Sequence, residues 1–167
     1  MRLLLIIFLA AGSAFWPFDA ELLPGDGLII VNKKTNEFAW INGGRIVLRG
    51  PAATGKTNEL TPEGLFTVKV KAMQPYYRKL NIQGGHPDNP LGSRWIGFDA
   101  RGTNGRIYGL HGTNKPWTVG HYVSEGCIRL HKTELEQLYD EVTEGTRVLI
   151  VHTSRNFEEL ARESGVL

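Results

Sequence analysis

Short apolar runs separated by glycine-containing turns dominate the pattern of this chain and predict a β-rich domain. Residues 28–31 are an apolar, largely β-branched run, and two further runs, residues 37–41 and 45–48, flank the sequence Asn42-Gly43-Gly44. An Asn-Gly pair readily adopts the positive φ angles that a tight hairpin turn requires. The first part of the domain is therefore predicted to be a meander of three strands.

The middle of the chain contains further strands and one long irregular segment. Residues 65–70 alternate between apolar and polar side chains, as expected of a strand with one buried face. Residues 74–92 are rich in Gly, Pro, Asn and aromatic residues without any periodicity, which predicts a long surface excursion beside a functional site. The remaining strand candidates are residues 95–98, 106–110 and 147–151.

Two helices are predicted near the end of the chain. Thr133 and Glu136 have the spacing of a capping box, apolar residues recur after them at helical spacing, and Gly145 is expected to end this helix. A second, short helix is predicted from Asn156, with Glu159 at the reciprocal capping position. The fold class is therefore mostly β, with an antiparallel sheet in a sandwich or barrel and one or two covering helices.

Length and charge limit the classes of protein that fit. A chain of 167 residues suits one domain, which we place at residues 25–153, followed by a C-terminal helical extension over residues 154–167. The net charge is +2 without a dense run of Lys and Arg. Because nucleic-acid binding requires a basic patch or stripe, we expect no nucleic-acid partner.

The N-terminus has the order of features found in export signals. Arg2 is followed by the apolar stretch 3–11 and by small residues at 12–14, so residues 1–20 are expected to direct the protein to the cell wall or periplasm. The apolar stretch is shorter than the roughly 20 residues of a stable membrane span. Aromatic residues at 15, 16 and 18 would tether an uncleaved segment at the membrane surface. The alternative is an N-terminal strand or helix packed in the core.

The sequence has one cysteine, Cys127. An exported protein usually forms disulfides from pairs of cysteines, so a lone thiol is either a small buried hydrophobic residue or a group with a chemical role. His111 lies at the end of a predicted strand and Cys127 lies just after a turn, where rigid elements present side chains to a cleft. An imidazole beside a thiol can accept its proton and make the sulfur nucleophilic.

Several short motifs surround these two residues or lie elsewhere in the predicted domain. The two motifs closest to the thiol are His-Gly-Thr at residues 111–113 and Ser-Glu-Gly-Cys-Ile-Arg-Leu at residues 124–130. The others are Thr-Pro-Glu-Gly-Leu-Phe at residues 61–66, Thr-Gly-Lys at residues 54–56 and Asn-Pro-Leu-Gly at residues 89–92. Together these motifs resemble the active-site signature of the L,D-transpeptidases with a YkuD-type catalytic domain, and the resemblance extends from about residue 28 to residue 151.

The resemblance implies a role for each matching residue. Cys127 is similar to the acylated nucleophile of the family and His111 to its base. Gly112 would orient the imidazole through its carbonyl group, and the backbone around Gly126, with Ser124 in the same motif, would orient the site and bind the oxyanion. Many members of the family have His where this chain has Glu125, a position that varies among them.

Substrate contacts are implied at Arg129, Thr113 and Asn114. For Arg129 two interpretations stay open, because a guanidinium group suits a stem-peptide carboxylate but would equally pair with Glu125 or another acid. Four aromatic residues either line a substrate cleft or serve as packing residues. These are Tyr76, Tyr77, Trp117 and Tyr122.

The resemblance also implies a reaction on peptidoglycan stem peptides that needs no cofactor. Cys127 would attack the amide before the terminal D-Ala of a tetrapeptide stem, and the amine of a neighbouring stem would resolve the thioester into a 3–3 cross-link. Water as the acceptor would make the protein an L,D-carboxypeptidase instead. Carbapenems are expected to acylate the same thiol, and we expect a monomer.

Two other classes of protein are alternatives to the enzyme that the resemblance implies. Cys127, His131, His111 and His121 could be drawn as a zinc site of mixed ligands, but such a site does not require Gly126 or the distant motif at residues 61–66. A catalytically silent module that binds the cell wall is the other alternative, and the presence of both reacting residues argues against it.

Overall fold

A computed structural model describes residues 21–167, and the export segment predicted within residues 1–20 lies outside this range. The described part of the chain forms ten strands and two α-helices. The strands are β1 (Leu28–Asn32), β2 (Glu37–Asn42), β3 (Arg45–Pro51), β4 (Thr54–Gly55), β5 (Gly64–Met73), β6 (Arg94–Phe98), β7 (Tyr108–His111), β8 (Tyr122–Ser124), β9 (Ile128–Arg129) and β10 (Arg147–Val151). The helices are α1 (Lys132–Glu141) and α2 (Phe157–Glu163).

Eight of these strands form one curled sheet in the order β3-β2-β1-β10-β5-β6-β7-β9, and β4 pairs with β8 in a separate ribbon. Within the described sheet, the β1–β10 and β7–β9 pairs are parallel, and the other pairs are antiparallel. The predicted fold class, a mostly antiparallel β architecture with covering helices, is confirmed. The predicted meander is also confirmed, as β1, β2 and β3.

Both faces of β1 are buried, which explains its uninterrupted apolar run. Ile29 and Val31 pack into the core cluster that includes residues of α1, whereas Leu28 and Ile30 pack into a second cluster that includes residues of α2. Since successive side chains of a strand point to opposite faces, a strand covered on both sides needs apolar residues at every position. The two helices therefore fix the sheet from opposite sides.

The helix predictions need one correction. α1 begins at Lys132 with His131 as its N-cap residue, and no side chain caps it, so the predicted capping box at Thr133 is wrong. The reason is that the chain leaves β9 directly before the helix, which places Thr133 already inside the first turn. The helix also ends before Gly145, which lies in the turn leading to β10.

The predicted cap of the second helix is confirmed. Asn156 Oδ1 accepts a hydrogen bond from the Glu159 backbone N–H at 2.8 Å, and Glu159 Oε2 accepts one from the Asn156 N–H at 2.9 Å. This helix packs against the sheet through Phe157 and Leu160. No helix within residues 21–167 is long and apolar enough to cross a lipid bilayer.

Candidate active site

Two adjacent parallel strands, β7 and β9, place the segments of His111 and Cys127 side by side, since His111 ends β7 and Cys127 directly precedes β9. In this pair Leu110 is in register with Ile128, and His111 with Arg129. Leu110 and Ile128 point into the core beside α1. Because side chains alternate along a strand, His111, Arg129 and Cys127 start from the opposite face of the sheet. The lone thiol and the imidazole are thus presented on one surface.

The imidazole of His111 is buried, with 5% of the residue exposed. Its Nδ1 lies 2.6 Å from the carbonyl oxygen of Gly112. A carbonyl can only accept a hydrogen bond, so Nδ1 carries the proton in the neutral ring, and Nε2 has the free lone pair. Trp95 stacks on the ring with centroids 5.6 Å apart, and it is the residue of β6 in register with His111. The backbone and the indole together fix the ring orientation.

Burial lowers the pKa of His111 from the ordinary value of 6.5 to about 4. The hydrogen bond to the Gly112 carbonyl group opposes this shift, the positive charge of Arg129 adds to it, and a backbone hydrogen bond with Leu91 opposes it. The imidazole is therefore neutral near pH 7 and is able to accept a proton at Nε2.

Cys127 is partly buried, and its Sγ lies 3.3 Å from the Ile107 carbonyl oxygen, to which the thiol donates a weak hydrogen bond. Burial raises the pKa of Cys127 from 9.0 to about 11, while a backbone hydrogen bond from Gly109 and the charge of Arg129 lower it in part. A donor role toward a carbonyl requires the protonated sulfur. Both shifts favour a neutral thiol and a neutral imidazole over an ion pair.

A glycine turn places Cys127 at the start of β9. Gly126 has φ of +130°, and a Cβ atom there would lie 2.6 Å from the Leu60 carbonyl oxygen, so only glycine fits. The Gly126 N–H donates to Ser124 Oγ at 3.0 Å. The Gly126 carbonyl accepts from Thr61 Oγ1 at 3.0 Å, and the same hydroxyl accepts from the Gly55 N–H at 2.9 Å. Buried hydroxyl groups hold both sides of the turn.

A buried lysine secures the segment that carries Thr61. Lys33 is 3% exposed, and its ammonium group donates to the carbonyl oxygens of Asn58 at 2.7 Å and Thr61 at 2.9 Å. It also forms an ion pair with Glu63 Oε1 at 2.9 Å. A buried charge is tolerated when it is paired and hydrogen-bonded in this way. Lys33 therefore supports the Cys127 turn indirectly, through Thr61.

The long excursion predicted over residues 74–92 is present and ends against His111. The buried side chain of Asn89 donates to the Pro75 and Gln83 carbonyl oxygens at 2.8 and 3.1 Å, which closes the excursion on itself. Gly92 has φ of +67°, and a Cβ atom there would lie 2.7 Å from Gly112 Cα. This close backbone contact holds the segment whose carbonyl group orients the imidazole.

A groove of about 430 Å³ opens over Cys127. Its walls come from β5, from the start of the excursion, from β6 and from the segment before β7. The apolar part is formed by Val70, Ala72, Pro75, Leu91, Trp95 and Ile107, and the remaining lining residues are Tyr76, Tyr77, Arg78, Lys79 and Arg106. An extended peptide fits a groove of this kind, with the thiol inside it.

None of the three residues implied in substrate binding lines this groove. Arg129 Nη1 donates to Thr118 Oγ1 at 3.2 Å, and within residues 21–167 no carboxylate pairs with Arg129. Glu125, considered as its partner, instead pairs with Lys56 at 2.7 Å. Thr113 Oγ1 accepts from the Lys115 N–H at 2.9 Å and Asn114 is next to it, so both belong to the β7–β8 connection.

The four aromatic candidates separate into two groups. Tyr76 and Tyr77 line the groove over Cys127. Trp117 is 71% exposed and Tyr122 is 52% exposed, with the Tyr122 hydroxyl donating to the Lys34 carbonyl oxygen at 2.9 Å. The last two residues are neither packed in the core nor part of this groove.

The zinc alternative finds no support in the side-chain positions. In the range 21–167 no three His, Cys, Asp or Glu side chains are grouped closely enough to hold a metal ion. This range includes the proposed ligands Cys127, His111, His121 and His131.

The residues that position Cys127 and His111 give little local signal in the sequence. Trp95, which stacks on His111, would have required the β6–β7 register. Thr61 belongs to a motif noted in the sequence, but its contact with Gly126 joins positions 65 residues apart. The buried Lys33 gives no local signal, since a lysine in a polar turn is usually exposed.

Comparison with known proteins shows which family this chain resembles. The family described as YkuD, L,D-transpeptidase catalytic domain, matches residues 26–150. YqjB of Bacillus subtilis (strain 168), whose name assigns it to the L,D-transpeptidases, is 54% identical over 167 residues, which are 100% of this chain and 95% of that protein. YkuD of the same strain is 35% identical over 132 residues, covering 79% of this chain and 69% of the relative.

Solved structures share the fold. The Ldtfm–avibactam carbamoyl enzyme superposes with a TM-score of 0.62 at 23% identity over 77% of this chain, which spans 49% of that chain. The catalytic domain of an E. faecium L,D-transpeptidase superposes with a TM-score of 0.57 at 25% identity over 75% of this chain and 97% of that chain. The family match covers residues 26–150, and one relative is 54% identical over the whole chain. This chain therefore belongs to the L,D-transpeptidase family with a YkuD-type catalytic domain.

Proposed function

We propose that this protein is a cysteine-dependent L,D-transpeptidase that forms 3–3 cross-links between peptidoglycan stem peptides. The observation that carries this proposal is that His111 ends β7 and Cys127 directly precedes the adjacent parallel strand β9, with the thiol lining a groove of about 430 Å³. The Nδ1–H tautomer of His111, fixed by the Gly112 carbonyl group, leaves Nε2 as the base.

The first half-reaction consumes the donor stem. Because both groups rest in their neutral forms, His111 Nε2 takes the thiol proton as Sγ attacks the amide carbon before the terminal D-Ala. The Sγ–C bond forms, the C–N bond breaks, and the proton passes from Nε2 to the leaving D-Ala amine. A thioester on Cys127 remains.

The second half-reaction transfers the acyl group to a neighbouring stem. The amine of its third residue attacks the thioester, a new C–N bond forms and the C–Sγ bond breaks, while His111 carries the amine proton to sulfur. Water in place of this amine would release a tripeptide, the product of an L,D-carboxypeptidase.

The oxyanion of each tetrahedral intermediate needs hydrogen-bond donors beside Cys127. We place the Cys127 backbone N–H in this role. The Gly126 N–H is occupied by Ser124 Oγ at 3.0 Å, so it contributes only when that hydroxyl releases it. The positive charge of Arg129, which acts on both Cys127 and His111, favours the negative charge that develops at the sulfur.

Two solved structures with this fold contain covalent adducts, which supports the proposed acylation. L,D-transpeptidase 3 from Mycobacterium tuberculosis, with 23% identity and a TM-score of 0.57 over 77% of this chain and 61% of its own, is solved in complex with a faropenem-derived adduct. The avibactam structure described above is a carbamoyl enzyme. We propose that strained acyl donors of this kind, including carbapenems, acylate Cys127.

Incubation of the purified protein with isolated disaccharide-tetrapeptides tests the proposal. Mass analysis should show a cross-linked dimer together with released D-Ala, and the Cys127→Ala variant should give neither. A hydrolysed tripeptide without dimer would assign the protein to the carboxypeptidases. No product from the folded wild-type protein would contradict the proposed function.

We also propose that the protein acts outside the cytoplasmic membrane. The support is the order of basic, apolar and small residues within positions 1–20. Protease digestion of intact and lysed cells that express the full chain tests this location. The protein should be digested in intact cells whose outer layers have been made permeable. Protection of the protein until the cytoplasmic membrane is broken would contradict this location.

A further inference from the structure

The groove over Cys127 has an apolar floor and a rim of positive charge. Three of its lining residues, Arg78, Lys79 and Arg106, are cations, and none of its lining residues is an acid. All three are exposed, and within residues 21–167 no carboxylate lies within 4.0 Å of any of them. The cations are thus free to meet a ligand.

The three cations come from two separate segments that face the same space. Arg78 and Lys79 lie in the short helical turn that follows β5, whereas Arg106 lies just before β7. Arg106 precedes Ile107, whose carbonyl oxygen is 3.3 Å from Cys127 Sγ. A ligand in the groove would therefore meet positive charge from both segments.

The nearest acid to the thiol in sequence does not neutralise this rim. Glu125 pairs with Lys56 at 2.7 Å, and neither residue lines the groove. Lys79 is close enough to lower the pKa of Glu125 further, although the hydrogen bond from Lys56 is the main cause of that shift. Lys79 therefore lies within electrostatic range of the Cys127 turn.

Peptide stems differ in the charge of their side carboxylates. Every donor has a free carboxylate on its terminal D-Ala, but the carboxylates of the dicarboxylic residues before it are either free or amidated. We infer that Arg78, Lys79 and Arg106 form a specificity subsite for acyl donors whose side carboxylates are free. This inference rests on the proposed function, because it assigns the groove to the donor stem.

Binding to the full-length Cys127→Ala protein tests the subsite without turnover. The probes are two disaccharide-tetrapeptides that differ only in whether the side carboxylates are free or amidated. The free form should bind about tenfold more tightly, which is the scale of a few exposed ion pairs. Raising the salt concentration should reduce this preference, because screening weakens exposed charge pairs.

A pair of charge-matched variants identifies the residues. R78Q/R106Q, made in the same Cys127→Ala background, should reduce the preference to about threefold or less on the same scale. R45Q/R49Q removes two exposed arginines from β3, at the opposite edge of the sheet from β9, and should keep the preference.

Several results would overturn the inference. These are equal binding of the two stems, no binding of either, an unchanged preference in R78Q/R106Q, or an equal loss in R45Q/R49Q.

Tighter binding of poly(glycerol phosphate) than of either stem would assign the cations to an anionic wall polymer instead. Turnover of both stems at equal rates by the wild-type protein would remove the inference and leave the proposed function intact. Charge-dependent binding of the stems without any turnover would contradict the proposed function but not the charge preference of the groove.

Discussion

The hydroxyl of Thr61 connects two segments that flank the candidate nucleophile. It donates to the Gly126 carbonyl oxygen at 3.0 Å and accepts from the Gly55 N–H at 2.9 Å, while Thr61 is fully buried. Since Gly126 precedes Cys127 directly, the position of the sulfur depends on a side chain far away in sequence. The catalytic geometry is therefore sensitive to substitutions that never contact a substrate.

Thr61→Val should reduce both stability and acylation. The variant keeps the shape of the side chain but leaves the buried Gly55 N–H without an acceptor, which should lower the free energy of unfolding by about 1–3 kcal/mol. Acylation of Cys127 should also slow, because the turn loses its anchor. Urea denaturation and the rate of adduct formation measure the two effects. Thr61→Ser, which keeps the hydroxyl, is the control, and equal acylation by Thr61→Val and the wild type would show that the contact does not position the thiol.

Gly92→Ala should displace the imidazole of His111, the proposed base. Gly92 and Gly44 have nearly the same positive φ angle, +67° and +70°, so alanine costs about 1–2 kcal/mol of strain at either position. At Gly44 nothing lies within 4 Å of the new Cβ atom, whereas at Gly92 it would lie 2.7 Å from Gly112 Cα. Acylation should fall by about 100-fold in Gly92→Ala alone, the scale of a displacement near 1 Å at a reacting group. Equal rates in Gly92→Ala and Gly44→Ala would contradict this role.

The parts of the fold that the sequence predicts are those with local signals. The meander of β1, β2 and β3 follows from apolar runs around an Asn-Gly turn, and the cap of α2 follows from the spacing of Asn156 and Glu159. The strands β4, β8 and β9 have only two or three residues each, too few for any periodicity to appear. These short strands border the thiol, so the site could not be assembled from the pattern alone.

The chemistry of the site is likewise predictable from the sequence only in part. Cys127 and His111 are evident as a lone thiol and a histidine at a strand end, but their protonation states depend on burial. The expected activation of the thiol by the imidazole suggests an ion pair, whereas burial shifts the pKa of His111 down and that of Cys127 up. Both shifts favour the neutral forms, and only the packed structure reveals them.

The stability of the protein should depend on pH through His111. Its pKa is 6.5 when unfolded and about 4 when folded, so the unfolded chain binds a proton first as the pH falls. The stabilisation is fully present above pH 6.5 and is lost as the pH falls to about 4, a change of about 3 kcal/mol in the free energy of unfolding. Urea denaturation at pH 7 and pH 4.5 should show a smaller loss in His111→Gln than in the wild type. The same loss in both proteins would exclude a buried neutral imidazole.

The resting thiol should alkylate slowly at neutral pH. Its pKa of about 11 predicts that the rate with iodoacetamide rises between pH 9 and pH 11 in the folded protein. His111→Ala should change this rate little near pH 7, because no ion pair exists to be broken, yet it should slow acylation by a substrate at least about 100-fold. Rapid alkylation with a midpoint below pH 7, abolished in His111→Ala, would instead indicate a preformed thiolate–imidazolium pair.

The most direct test of the account is the intact mass of the folded protein after incubation with a carbapenem. If Cys127 is a nucleophile beside oxyanion donors, the mass should increase by one carbapenem per chain, with the adduct on the peptide that contains Cys127. The adduct should persist when no amine acceptor is present, and it should form at least about 100-fold more slowly in His111→Ala. No adduct on Cys127 in the folded protein, together with normal alkylation of the same thiol after unfolding, would show that this cysteine is a structural residue and would contradict the proposed acyl-enzyme.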